Sequence, residues 1–123
     1  MINIKELSIG NWVKLNRFNK MGKILGVNED SVITNIAYPV LLEDIEPIPI
    51  TPEILKKNGW EVRINDINPK KWMAYLVEEG AFIFKGSDLA TLNTNTGKEI
   101  PFRYVHQLQN ALILCGINKR IEL

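Results

Sequence analysis

The sequence has almost none of the residues from which disulfide frameworks and metal centres are built. It contains one cysteine, Cys115, and one histidine, His106, among 123 residues. A disulfide needs two cysteines, and a structural zinc ion usually needs about four cysteine or histidine ligands. The composition therefore excludes an internal disulfide and a structural zinc site, and the single thiol fits a reducing compartment.

Enzymatic constellations are also missing. His106 and Cys115 are separated by about 900° of helical rotation and roughly 13 Å of rise on one predicted helix, so they cannot form a catalytic dyad. The acidic pairs Glu43–Asp44 and Glu78–Glu79 fall on predicted surface segments, where neighbouring strand residues point to opposite faces. No phosphate-binding loop or dinucleotide fingerprint is present. We expect no enzymatic activity, no metal ion and no cofactor.

The chain also has no large excess of positive or negative charge and no long apolar run. Fifteen Lys and Arg balance fourteen Asp and Glu, which leaves a net charge of +1 and no overall field that favours nucleic acid or a membrane. An apolar run such as 111–115 is far shorter than the ~20 residues of a membrane span. The first residues lead into no signal-peptide core. We expect a cytoplasmic protein without a membrane partner.

The residues that are present predict an α+β fold. In the first 50 residues, three segments with strand-like alternation or β-branched composition, 11–17, 23–27 and 31–36, are separated by turn residues. Such short strands with tight turns are typical of a small barrel-like antiparallel sheet. Gly26 lies inside one of these strands, where it could mark a bulge or bend.

The remainder, residues 51–123, predicts a second lobe. Thr51 as N-cap, Pro52 at the first position and Gly59 as stop predict a short helix. Strands expected at 60–64, 72–77 and 81–85 form an antiparallel meander, and an amphipathic helix over 103–115 packs on it. We expect one compact unit with two lobes, residues 1–50 and 51–123.

Three blocks of sequence resemble a family of short proteins from Bacteroides-type gut bacteria, often encoded in their phages and integrated elements. The blocks are Leu7–Val13, Ile45–Leu55 with Asn58–Gly59, and Tyr104–Asn110 with Leu114–Gly116. The family has no assigned activity. The resemblance implies a phage or mobile-element origin and no particular mechanism.

One candidate binding surface is a basic and aromatic segment near the start of the chain. Between Glu6 and Glu29 the acid-free stretch contains the residues Trp12, Lys14, Arg17, Phe18, Lys20 and Lys23. Cations beside aromatic rings can hold a single nucleic-acid strand. The segment could equally be the solvated face of two strands, with Trp12 in the core.

A second candidate is the polar face of the last helix. His106, Gln109 and Asn110 share one stripe at spacings of three and four. This stripe is rich in amides and poor in Lys and Glu, so it predicts a specific contact rather than a solvated face. The contact could be with this chain's own polar segments, a second copy or another protein.

The function that the sequence favours is binding without catalysis. We expect an accessory protein of a phage or mobile element that acts through contacts with an unidentified protein partner or by self-association. The alternative is a small-barrel protein that binds nucleic acid.

Overall fold

A computed structural model describes residues 2–86 and 88–123 of the chain. The described residues form an α+β fold with two five-stranded antiparallel sheets and two α-helices. This architecture confirms the predicted α+β class. We call the half that contains the first sheet the first lobe and the half that contains the second sheet the second lobe.

The first sheet has the strand order β4-β3-β2-β1-β5. Its strands are β1 (Trp12–Leu15), β2 (Lys20–Val27), β3 (Ser31–Thr34), β4 (Val40–Leu41) and β5 (Ile45–Glu46), with 3-10 helices at Ile4–Glu6 and Leu42–Asp44. Alternation in β1 buries Val13 and Leu15 completely. The register of β2 and β3 shifts between Ile24 and Gly26, which is where the sequence suggests a bend.

The prediction of a barrel-like first sheet is wrong in one respect, because the sheet is not a closed barrel. Strands β4 and β5 are the two edges of the first sheet, and no pairing joins them in the described chain. Each contains only two residues, and a 3-10 helix of three residues separates them. These short edges offer too few backbone groups in register to complete a ring of strands. The sheet therefore stays open.

The second sheet is a simple meander with the order β10-β9-β8-β7-β6. Its strands are β6 (Glu61–Ile64), β7 (Trp72–Leu76), β8 (Ala81–Lys85), β9 (Ala90–Thr94) and β10 (Glu99–Phe102). The first three match the predicted meander. The polar stretch 93–97, predicted only as a loop or hairpin end, supplies the end of β9 and the turn to β10.

Both predicted helices form. In α1 (Pro52–Lys57) the Thr51 hydroxyl accepts a hydrogen bond from the Ile54 amide at 3.3 Å, as expected of an N-cap. Helix α2 (Val105–Leu114) begins where the Gln107 side chain accepts from the Tyr104 amide at 3.2 Å. Leu55 of α1 and Val105, Leu108, Ala111 and Leu112 of α2 are buried in the core of the second sheet.

The buried residues divide into two clusters, one for each lobe. Ile48 and Ile50, which lie in the proline-rich connection, belong to the core of the second lobe. The Ile48 carbonyl accepts from the Val105 amide at 2.8 Å, which fixes this connection against the start of α2. Trp12 comes from β1 but packs against the second core, so it joins the two lobes.

Candidate binding surface

The second sheet has one covered face and one open face. Ala74 and Ile83 are completely buried and belong to the core under the helices. Because side chains alternate along a strand, their neighbours Met73 and Phe84 lie on the opposite face. Phe84 is 49% exposed, so this outer face is open to solvent.

Strand register arranges the outer face into two rows. One row crosses the sheet through Arg63, Met73, Phe84 and Thr91, and we call it the basic row. The next crosses through Glu61, Tyr75, Phe82, Asn93 and Glu99, and we call it the acidic row. Phe82 and Phe84 meet edge to face, with ring centroids 5.4 Å apart. The outer face therefore has aromatic rings at its centre.

The basic row borders a depression of about 370 Å³ at one end of the face. The residues that define it here, named the aromatic-basic site, are Arg63, Lys71, Met73, Phe84 and Lys85. Three cations line the depression, and no acid lines it within the described residues. Lys85 alternates with Phe84 along β8, so its side chain starts on the face that carries Ile83 and lines the depression from the end of the strand. The Lys85 ammonium donates to the Gly86 carbonyl at 2.9 Å, while Arg63 and Lys71 form no ion pair with the described part of the chain.

The outer face is electrostatically polarised. Glu61 and Glu99 stand at the two ends of the acidic row, and both are exposed. The turn between β7 and β8 adds Glu78 and Glu79 on that side of the sheet. An anionic ligand is therefore attracted to the basic row and repelled from the acidic row.

The cationic residues predicted near the start of the chain do not form one open surface. Lys14 lies directly across from Glu46 in the pairing of β1 with β5. Lys23 forms an ion pair with Glu122 at 3.6 Å, and its ammonium lies 5.9 Å from the ring centroid of Trp12. Two of the four cations in the segment thus have an acid beside them.

The other members of that segment lie at the tip of the first hairpin. Arg17 and Phe18 are in the turn between β1 and β2, and Lys20 is the first residue of β2. All three are exposed. The structure therefore separates this tip from Trp12, which is half-buried where the lobes meet.

The amide stripe of α2 contacts the first lobe. The Gln109 side chain accepts from the Trp12 amide at 2.9 Å and donates to the Gly10 carbonyl at 3.0 Å. The Asn110 side chain donates to the Glu6 carbonyl at 2.7 Å and accepts from the Asn11 side chain at 3.0 Å. These four hydrogen bonds, which we call the seam, connect α2 to the segment before β1.

His106 is part of the same contact and is only 1% exposed. Its Nε2 lies 3.4 Å from a Glu6 carboxylate oxygen, and its ring stacks on Tyr104 with centroids 6.0 Å apart. Its Nδ1 has no hydrogen-bond partner among the described residues. Burial lowers the pKa of His106 below 6.5, an effect that the hydrogen bond and charge of Glu6 partly oppose. The imidazole is therefore neutral at pH 7.

Sequence reasoning missed the aromatic-basic site, although a signal for it exists. Strands β7 and β8 carry apolar or aromatic side chains on both faces, as Tyr75 and Phe84 show beside Ala74 and Ile83. Such strands are normally buried on both sides. Here the described residues form two α-helices, and both lie on one face of the second sheet.

The described chain has no group of three acidic, histidine or cysteine side chains placed to hold a metal ion. In residues 2–86 and 88–123 no helix has the length and apolar character to span a bilayer.

Comparison with known proteins gives no family for this chain. No protein-family model matches it, and neither a curated protein nor a solved structure matches it.

Proposed function

We propose that this protein binds a single nucleic-acid strand, without catalysis, on the outer face of its second sheet. The observation that carries the proposal is the aromatic-basic site, in which an exposed Phe84 ring lies among Arg63, Lys71 and Lys85. This combination of an apolar ring with unpaired cations matches two parts of a nucleotide, the base and the phosphate.

The aromatic part of the site suits a base. A solvent-exposed aromatic ring offers its face to any base, and such stacking contributes roughly 1–3 kcal/mol per base. Phe84 is more exposed than the neighbouring Phe82, so it is the principal stacking surface. The partly exposed Met73 beside it extends the apolar surface.

The charged part of the site favours an anionic ligand at this end of the outer face. A typical protein interface has an apolar centre and a rim with charges of mixed sign. The rim of this depression carries cations alone among its described lining residues. A polyanion gains from this arrangement because each neutralised phosphate releases condensed counterions.

The sequence favours protein contacts and offers nucleic-acid binding as the alternative. The proposed function is that alternative, but on a different surface. The sequence suggests protein contacts through the amide stripe of α2, but Gln109 and Asn110 are hydrogen-bonded within the chain. It suggests nucleic-acid binding through the first hairpin, where Lys14 and Lys23 lie beside acids. An accessory role in a phage or mobile element is compatible with single-strand binding.

Fluorescence anisotropy with labelled oligo-dT and oligo-rU tests the proposal. We expect binding at low salt whose logarithmic salt dependence has a slope of about −2, since three cations contribute ~0.7 each on a single strand. Phe84→Leu keeps an apolar side chain but removes the stacking face, and it should weaken binding by roughly 5-fold to 100-fold. Arg63→Gln and Lys71→Gln should each reduce the slope by ~0.7.

Matched controls come from the first hairpin. Phe18→Leu and Lys20→Gln change the same residue types at another exposed position and should leave the affinity unchanged. The proposal fails if the unmodified protein shows no saturable binding at low salt. It also fails if the hairpin variants, rather than Phe84→Leu and Arg63→Gln, remove binding. Self-association that is lost in Phe84→Leu, without any oligonucleotide binding, would assign the face to a protein contact instead.

A further inference from the structure

A second concave site lies where the two lobes meet, away from the outer face of the second sheet. It has a volume of about 420 Å³, within the usual range of small-molecule pockets. Four parts of the chain form its walls: the segment before β1, Lys23 of β2, the last turns of α2, and the C-terminal segment after α2. We call this site the inter-lobe cleft.

The cleft carries an excess of positive charge. Lys23, Lys119 and Arg120 line it together with one acid, Glu122. Glu122 is already engaged with Lys23 at 3.6 Å, whereas Arg120 has no ion pair or hydrogen-bonded side chain among the described residues. The Arg120 guanidinium thus offers a fork of donors that suits a planar or tetrahedral oxyanion.

The cleft also has an apolar wall. Ile9 and Ile113, from different lobes, both line it and are 70% and 71% exposed. The polar amides of Asn11 and Gln109 in the same wall are already hydrogen-bonded in the seam. The groups in the cleft that have no partner among the described residues are therefore the charges of Lys119 and Arg120 and the apolar side chains of the two isoleucines.

We propose that the inter-lobe cleft binds a small organic anion, with its carboxylate or phosphate on Arg120 and its apolar body between Ile9 and Ile113. Occupancy would join residues of both lobes through one ligand, because its two ends contact the first lobe and the C-terminal segment. A ligand that binds this arrangement of the lobes would thus stabilise it, increasingly so as the ligand concentration exceeds the dissociation constant. This inference does not depend on nucleic-acid binding at the aromatic-basic site.

Titration of the full chain by NMR tests the cleft with three related probes: benzoate, phenyl phosphate and the neutral benzyl alcohol. We expect saturable shifts of the Gly10, Asn118 and Arg120 amides with millimolar affinity for at least one anion. The tighter of the two anions identifies the preferred acidic group. Benzyl alcohol should bind at least tenfold more weakly, since it lacks the charge that pairs with Arg120.

Two variants and two matched controls make the test specific. Arg120→Gln removes the guanidinium, and Ile113→Asp places a negative charge on the exposed apolar wall. Each should weaken anion binding at least tenfold. Arg17→Gln and Leu114→Asp make the same changes at exposed positions outside the cleft and should alter the affinity less than twofold.

The proposal is overturned if neither anion produces saturable shifts at the cleft amides, or if benzyl alcohol binds as tightly as the anions. Retention of full affinity by Arg120→Gln would also overturn it. Phe84→Leu, which disables the aromatic-basic site, should leave these shifts intact, so the two proposals fail separately.

Discussion

Replacing Gln109 with alanine removes both hydrogen bonds by which its side chain joins α2 to the start of β1. The Trp12 amide depends on this side chain because β5 pairs with β1 only at Lys14 and Leu15. The Trp12 amide lies beyond the end of β5, so no residue of β5 accepts a hydrogen bond from it. Gln109 thus takes the place of the missing strand neighbour, and its amide nitrogen satisfies the Gly10 carbonyl.

The expected loss of stability follows from the two backbone groups that lose their hydrogen-bond partner, the Trp12 amide and the Gly10 carbonyl. An unsatisfied buried amide costs about 1–3 kcal/mol. The Gly10 carbonyl belongs to a half-buried residue, where water can replace part of the lost bond. Alanine also regains a few tenths of a kcal/mol in helix propensity. We therefore expect Gln109→Ala to lower the free energy of unfolding by about 2 kcal/mol.

Urea denaturation followed by tryptophan fluorescence measures this loss. With a slope of about 1–3 kcal/mol per molar urea, the midpoint should fall by roughly 1 M. Leu114→Ala is the control, because Leu114 lies on the same helix, is 73% exposed and should change stability by no more than about 0.5 kcal/mol. If Gln109→Ala unfolds at the same urea concentration as Leu114→Ala, the seam does not stabilise the fold and the reasoning is refuted.

Two further predictions concern pH and helix capping. Burial lowers the pKa of His106 in the folded state from 6.5, so the folded state takes up the imidazole proton less readily than the unfolded chain does. His106 therefore does not reduce the free energy of unfolding above about pH 6.5. Below that pH the free energy of unfolding falls as the pH drops towards the folded pKa. The urea midpoint of the unmodified protein should therefore decrease between about pH 7 and pH 5.5, a decrease that His106→Gln should lack; a midpoint that rises on acidification would contradict the assignment. Thr51→Ala should cost about 1 kcal/mol by removing the acceptor for the Ile54 amide, whereas Thr51→Ser should retain most of the stability, and equal urea midpoints for the two variants would argue against the cap.

Features that depend on residues a few positions apart could be predicted from the sequence. Helix α1 begins at Pro52 and ends before Gly59 because the cap, the first-turn proline and the stop all act within two turns. The strands around 72–76 and 81–85 follow from their composition and from the turn between them. That the chain has too few cysteines and histidines for an internal disulfide or a structural zinc site follows from counting residues.

The face of α2 could be predicted only in part. Val105, Leu108, Ala111 and Leu112 are buried as their helical spacing predicts, whereas Cys115 on the same side is only half-buried, and His106, assigned to the polar side, is 1% exposed. Helical periodicity orders residues around an axis without specifying how much of the circumference other segments cover. The segment around Glu6 covers the side with His106, and its sequence gives no sign of that position.

The sequence by itself determined the α+β class, the short capped helix and the meander, because each is a local pattern. Tertiary structure alone decided that the first sheet stays open, that Gln109 bonds to Gly10 from 99 residues away, and that Arg63 and Phe84 meet on one open face. Each of these depends on strand register or lobe docking. Such contacts depend on the whole chain, because a given strand register or lobe arrangement forms only if its free energy is lower than that of every competing arrangement.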